Sequence, residues 1–174
     1  MKEIIHNDDL LKDNEIDEQS IRARGLIINS QNEILMCYSN GLQHYEFPGG
    51  HLEENETLIA GLKREIKEET GIIINDSEIT PLMSIKYYCK NYHNRNKNRL
   101  ASIYYYIINT DNPYNPSETN LDKMEISQNY ECRYIKISDL KNIIIDNKKT
   151  TKENNQTLDD LLIVWDEYLK KYRK

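Results

Sequence analysis

Apolar residues along this chain change their period several times, and each change predicts a different element. Arg22 to Asn29 ends in Leu-Ile-Ile and reads as a strand. Ser30-Gln31-Asn32 is a turn, and Glu33–Tyr38 a second strand, so the two predict a hairpin. Asn40-Gly41 marks another turn. Tyr45–Phe47 is a short strand stopped by Pro48, and Gly49-Gly50 frees the backbone to bend sharply. From Thr57 to Thr70 the period becomes helical, with Ile59, Leu62 and Ile66 as an apolar stripe and Gly71 as the stop. Strand character returns over 79–90 and 100–110, separated by the polar, basic stretch 91–99. A turn-rich loop covers 112–117, and Tyr130–Ile137 is one more strand. Ser138-Asp139 predicts the cap of a short helix through Ile145, followed by a polar linker over 148–155. Thr157–Tyr172 carries Leu158, Leu161, Leu162, Trp165, Tyr168 and Leu169 on one side, the pattern of an amphipathic helix. Residues 1–20 are acidic and weakly patterned, a terminal extension to which the sequence assigns no function. Their Ile4-Ile5 and Leu10-Leu11 suit a sheet edge or one helical turn.

The alternation of strands and helices predicts one α/β domain over 21–174, and 174 residues suffice for a sizeable core. A net charge of −6 argues against a dedicated DNA or anionic-membrane binder. It leaves room for an anionic substrate, because a bound cation inverts the local field. Cys37, Cys89 and Cys132 are odd in number and lack metal-ligand spacing, so reduced thiols are expected and zinc is not. Neither a signal-peptide core nor a membrane-spanning run is legible, which predicts a cytoplasmic protein.

The chemistry concentrates between Gly50 and Ile72. On a helix, Glu65 shares a face with Glu68 and Glu69, on the flank of the apolar stripe. Like charges at that spacing cost roughly 0.2–0.5 kcal/mol per pair. Neutralising them calls for a partner, and a hard divalent cation with oxygen ligands is the natural one. A bland alternative is a solvated face balanced by Lys63, Arg64 and Lys67.

The flanking residues decide between these readings. Gly50, Glu56, Arg64, Glu65, Ile66, Glu68, Glu69, Gly71 and Ile72 resemble the full signature of the Nudix hydrolases, G-x5-E-x7-R-E-U-x-E-E-x-G-U with U apolar. Glu46-Phe47-Pro48-Gly49 is similar to the usual lead-in, and the order of elements extends the resemblance over about residues 20–172. The resemblance implies an α/β/α sandwich around a mixed β-sheet. It also implies hydrolysis of a nucleoside diphosphate linked to another group, with Mg2+ or Mn2+. Glu65, Glu68 and Glu69 would then be the acidic ligands, joined by the carbonyl of Gly49. Glu65 would double as the base; other members place the base in a later loop, where Glu125, Glu118 and Glu131 stand here. Arg64 would orient a catalytic carboxylate. Glu56, at the mouth of the helix, would be structural, as would Gly50 and Gly71. Two positions depart from the family habit: Asn55 replaces a glycine, and Gly61 replaces an alanine.

The substrate is less legible. Arg22 and Arg24 face one side of their strand and could hold a phosphate if that side lines the cleft. The 91–99 loop could clamp phosphates or be a solvated hairpin tip. Tyr88 lies at the spacing at which dinucleoside polyphosphate enzymes of the family carry a tyrosine, whereas Pro81 comes too early for the proline of ADP-ribose enzymes. The leading expectation is a nucleotide pyrophosphohydrolase, with housecleaning of nucleoside triphosphates as one role. Hydrolysis of dinucleoside polyphosphates, ADP-ribose or nucleotide sugars is the alternative. A non-catalytic nucleotide-sensing domain is the alternative of another class. Family members are often dimers, so a homodimer is also expected from the resemblance.

Overall fold

A computed structural model of the chain describes residues 1–151 and 156–172. Its elements in order are β1 (Lys2–His6), β2 (Glu18–Ile28), β3 (Glu33–Ser39), β4 (His44–Glu46), β5 (Gly49–His51) and α1 (Leu58–Thr70). These are followed by β6 (Ile79–Cys89), β7 (Arg99–Asn109), α2 (Lys123–Ser127), β8 (Tyr130–Lys136), α3 (Ile137–Thr150) and α4 (Gln156–Tyr172). The strands form one mixed sheet in the order β1-β6-β7-β2-β3-β4, with β5 added to β2 and β8 to β3. The pairs β1·β6 and β2·β7 are parallel and the others antiparallel.

Alternation along the strands divides the core into two layers. Leu26 and Ile28 of β2, with Ile103, Tyr105 and Ile107 of β7, pack against α3 and α4. Ala23, Ile27 and Ile108 point to the opposite face and meet Leu62 and Ile66 of α1. The molecule is therefore the α/β/α sandwich expected from its sequence. Leu62 and Ile66 are fully buried, and each such side chain stabilises the packing by about 1.5–3 kcal/mol.

The cleft arises where β2 and β3 part company. The hairpin expected between them is present, yet it pairs only Ile27 with Leu35 and Ile28 with Ile34. Beyond that point β2 turns to β5, with Arg22 opposite His51 and Arg24 opposite Gly49. β3 turns to β4 and β8. Loop and helix residues of the 49–70 stretch enter the gap.

Several elements differ from the sequence reading. Residues 2–6 form an edge strand on β6, and β2 begins at Glu18 because its polar start pairs with β7, Glu18 opposite Arg99. α3 starts directly after β8 and runs through Thr150, absorbing the first residues of the expected linker; positions 152–155 of that linker lie outside the described residues. The short α2 was not expected. Cys37 and Cys132 are not the reduced thiols expected from their number: they sit opposite each other on β3 and β8 and are joined as a disulfide. Strand pairing across 95 residues of sequence brings them together, which spacing alone does not reveal. Cys89 is free.

Candidate active site

α1 begins cleanly because Thr57 caps it, its Oγ1 accepting from the Ala60 amide at 3.2 Å. It stops at Gly71, which adopts a left-handed conformation. Thus Glu56 is not the cap. Its carboxylate takes Arg64 in a two-pronged grip, Nε to Oε1 at 3.0 Å and Nη2 to Oε2 at 2.8 Å. Arg64 Nη1 also donates to Glu65 at 2.8 Å and to Glu68 at 3.0 Å, and Nη2 to the His51 carbonyl at 2.9 Å. One guanidinium thus ties two helix carboxylates to the β5 loop. These hydrogen bonds, Glu56 first and Glu65 next, raise the Arg64 pKa against the opposing effect of burial.

The three helix acids are not equivalent. Glu69 follows Leu62 by seven positions and Ile66 by three, so it continues the buried stripe instead of flanking it. Only 5 % of it is exposed. Its Oε2 accepts from the Gly49 amide at 2.6 Å and its Oε1 from the Tyr130 hydroxyl at 2.9 Å. Burial, and then the charge of Glu46, push its pKa well up, against the pull of Arg24. Burial likewise raises Glu65, although Arg64 opposes it.

Gly49 is the hinge of this arrangement. Its φ is +127°, and a Cβ there would stand 2.2 Å from the Ala23 carbonyl oxygen. Only glycine lets the loop turn its amide onto Glu69 while lying against β2. The contact with Glu69 is made by the amide of Gly49; the carbonyl, the atom expected as a ligand, takes no part in it. The departures from the family habit are also accounted for. Asn55 takes the left-handed conformation at φ 64°. At Gly61 a Cβ would come within 2.8 Å of Glu56 Oε2 and 3.0 Å of Leu52.

These groups line a cleft of about 390 Å³. Its acidic wall contains Glu46, Glu65, Glu69 and Glu125; Arg22, Arg24 and His51 stand on the β5 side, and Leu42, Met124 and Gln128 on the α2 side. Arg24 is consumed by Glu46, at 2.6 Å, and by the Phe47 carbonyl. Arg22 Nε donates to His51 Nε2 at 3.1 Å. Burial and then Arg22, Arg99 and Arg24 pull the His51 pKa down to about 4, so the imidazole is a neutral acceptor near pH 7.

Of the later glutamates, Glu125 alone lines the cleft, where burial raises its pKa and its carboxyl reaches Glu69. Glu131 lies in a separate depression with Tyr38 and Arg133, and Glu118 approaches Gly71 at the far end of α1. Glu68 is tied to Arg64 on the rim. Tyr88 is not brought to the site: its hydroxyl donates to Asp13 at 2.8 Å, on the sheet face opposite Arg22 and Arg24. Glu46 and Tyr130 belong to the site, though sequence reasoning assigned neither a role there. Glu46 lay in view within the lead-in to the signature, but nothing near Tyr130 distinguishes it from the other tyrosines.

Among the described residues no three His, Cys, Asp or Glu side chains converge into a ready-made metal cluster. The donor chemistry nonetheless fits a hard cation. Five carboxylates line one cleft, Asp122 among them, three of the five with pKa values raised by burial, and Arg24 and Arg64 answer only part of that charge.

The family model of the NUDIX domain matches residues 19–160. The chain belongs to the NUDIX domain family. Among curated relatives, an 8-oxo-dGTP diphosphatase of Haemophilus influenzae is 30 % identical over 91 residues, 50 % of this chain and 60 % of that protein. An 8-oxo-dGTP diphosphatase of Proteus vulgaris is 41 % identical over 54 residues, 29 % of this chain and 48 % of that protein. The chain thus spans less than two thirds of the length of these relatives. A Nudix hydrolase from Nitrosomonas europaea has the same fold, with a TM-score of 0.53 at 16 % identity over 89 % of this chain and 91 % of that one. So has an Ap4A hydrolase of C. elegans, at 0.51 and 16 % over 88 % and 99 %. No helix among the described residues is long and apolar enough to cross a membrane.

Proposed function

We propose that this Nudix protein hydrolyses a diphosphate linkage in a small nucleotide, a nucleoside triphosphate foremost. The observation that carries this is the convergence of Glu46, Glu65, Glu69 and Glu125 on one cleft beside cationic Arg22. That two relatives are 8-oxo-dGTP diphosphatases supports a triphosphate and a housecleaning role.

Glu65, Glu68 and Glu69, with Gly49, would hold Mg2+ or Mn2+. Such an ion, when bound, screens the diphosphate and lowers the pKa of a coordinated water. The residues of the chain do the rest. Arg64 holds Glu65 and Glu68 in place, so neither carboxylate needs reordering when substrate arrives. Glu65 takes the proton of the attacking water, and Glu125 is the second acceptor facing the cleft. Water attacks one phosphorus as its bridging P–O bond breaks, leaving a nucleoside monophosphate and pyrophosphate from a triphosphate. The pyrophosphate carries the electron pair of the broken bond.

The test is a panel of nucleoside triphosphates, including oxidised ones, dinucleoside polyphosphates, ADP-ribose and nucleotide sugars, incubated with purified protein and Mg2+ or Mn2+. Release of pyrophosphate from one class is expected. No phosphate or pyrophosphate from any member would leave a nucleotide-binding domain without turnover.

A further inference from the structure

Arg22 and Arg99 present a charge problem of their own. β2 alternates so that Arg22 and Arg24 share the face of Leu26 and Ile28, which packs toward α4. On β7, Arg99 shares the face of Ile103 and Tyr105, and β7 lies directly beside β2 with Arg22 opposite Ile103. The Arg99 charge is close enough to pull down the pKa values of Arg22 and His51, after burial and another arginine in each case. All three arginines therefore stand on one face, at the end nearest β5.

Their partners differ. Arg24 has Glu46, and Arg95 at the tip of the β6–β7 loop has Glu18 at 2.6 Å. Among the described residues neither Arg22 nor Arg99 has a carboxylate within ion-pair distance, and Glu46, which acts on Arg22 from farther off, is already paired with Arg24. Arg22 is half-buried and gives only its Nε to His51, leaving both terminal nitrogens unspent. Arg99 is half-buried and lies over the Tyr92 ring at 4.4 Å, which fixes the guanidinium without neutralising it. Two half-buried cations on one face, without an anion between them, are unfavourable unless one is supplied. Guanidinium forks favour phosphate, which they bind through paired hydrogen bonds.

We infer that Arg22 and Arg99 form an anion subsite at the β5 side of the cleft, which takes a phosphate group of a polyphosphate substrate beyond the diphosphate held at the carboxylates. His51 positions Arg22 and Tyr92 positions Arg99. The inference rests on the reading that the cleft takes a phosphorylated substrate. It extends that reading by selecting substrates with at least one further phosphate.

Calorimetry of the full chain with inorganic tripolyphosphate, in EDTA and without turnover, tests it. Arg22→Gln and Arg99→Gln each weaken binding by at least about tenfold, the scale of a lost charge-assisted hydrogen bond. Arg95→Gln removes the same charge from the neighbouring loop and changes binding by no more than about twofold. Citrate, a carboxylate of similar charge, binds at least about tenfold more weakly than tripolyphosphate, since it lacks the tetrahedral oxygens that the forks grip. Absence of tripolyphosphate binding, an Arg99→Gln protein that binds like wild type, an Arg95→Gln protein that loses as much, or citrate binding equally well overturns the subsite. Arg-dependent binding without hydrolysis of any nucleotide would break the hydrolase proposal alone. Hydrolysis with Arg-independent binding would break only the subsite.

Discussion

Two buried carboxylates, Glu69 and Asp160, look alike by most measures. Both are at most 5 % exposed, both accept from tyrosine hydroxyls, and burial raises both pKa values. Their surroundings separate them. Asp160 on α4 faces Tyr87 of β6 and Tyr105 of β7, whose hydroxyls answer it, so it fastens a helix to two strands. Glu69 faces Glu46 and Glu125 across a cleft, and a backbone amide on a glycine hinge holds it. A shifted pKa marks a buried acid; further acids beside it, whose charge the neighbouring arginines answer only in part, mark a site suited to a cation.

Breaking the cleft gives the largest effect. Glu65→Gln, which keeps shape and loses charge, lowers turnover by at least about 100-fold, read in steady-state assays with Mg2+. Next comes Arg64→Ala, which releases Glu56, Glu65 and Glu68 together. A loss of at least about tenfold in kcat is expected, together with a lower melting temperature. On the other side of the comparison, Asp160→Ala strands the Tyr87 and Tyr105 hydroxyls. It costs about 1–3 kcal/mol in urea unfolding, with turnover per folded molecule unchanged.

A pH series sharpens the contrast. The Asp160 pKa is raised from 3.8 to about 6, by burial foremost. Between those values the folded chain keeps a proton that the unfolded chain has lost. The contribution is full below about pH 3.8 and is lost as pH rises through about 6, up to about 3 kcal/mol. The stability difference between wild type and Asp160→Asn should carry that slope; a flat difference would assign the shift elsewhere. The smallest effect is Tyr88→Phe, within about 0.5 kcal/mol in stability and without change in KM, because its hydroxyl meets Asp13 outside the cleft.

The sequence shows best what neighbours along the chain determine. The helix over Thr57–Thr70, its stop at Gly71 and the strands from Ile79 and Leu100 were legible from period and punctuation. What escaped depends on partners far along the chain. β1 is recognisable only beside β6, Tyr130 only where β8 meets Glu69, and the disulfide only when β3 and β8 pair. Glu69 lines the cleft with Glu65 as its spacing suggested, but three adjacent acids gave no sign that the stripe of Leu62 and Ile66 would carry it into the core.

The most direct test sets the two acids side by side. Glu69→Gln retains the Gly49 amide as donor to its remaining oxygen, and Asp160→Asn retains Tyr87 in the same way, so both proteins should fold. Turnover of each is measured on the substrate found in the panel, with Mg2+, and normalised to the folded fraction. The account predicts at least about a 100-fold loss for Glu69→Gln and less than about a twofold change for Asp160→Asn. Near wild-type turnover in Glu69→Gln, or equal losses in both, would contradict it.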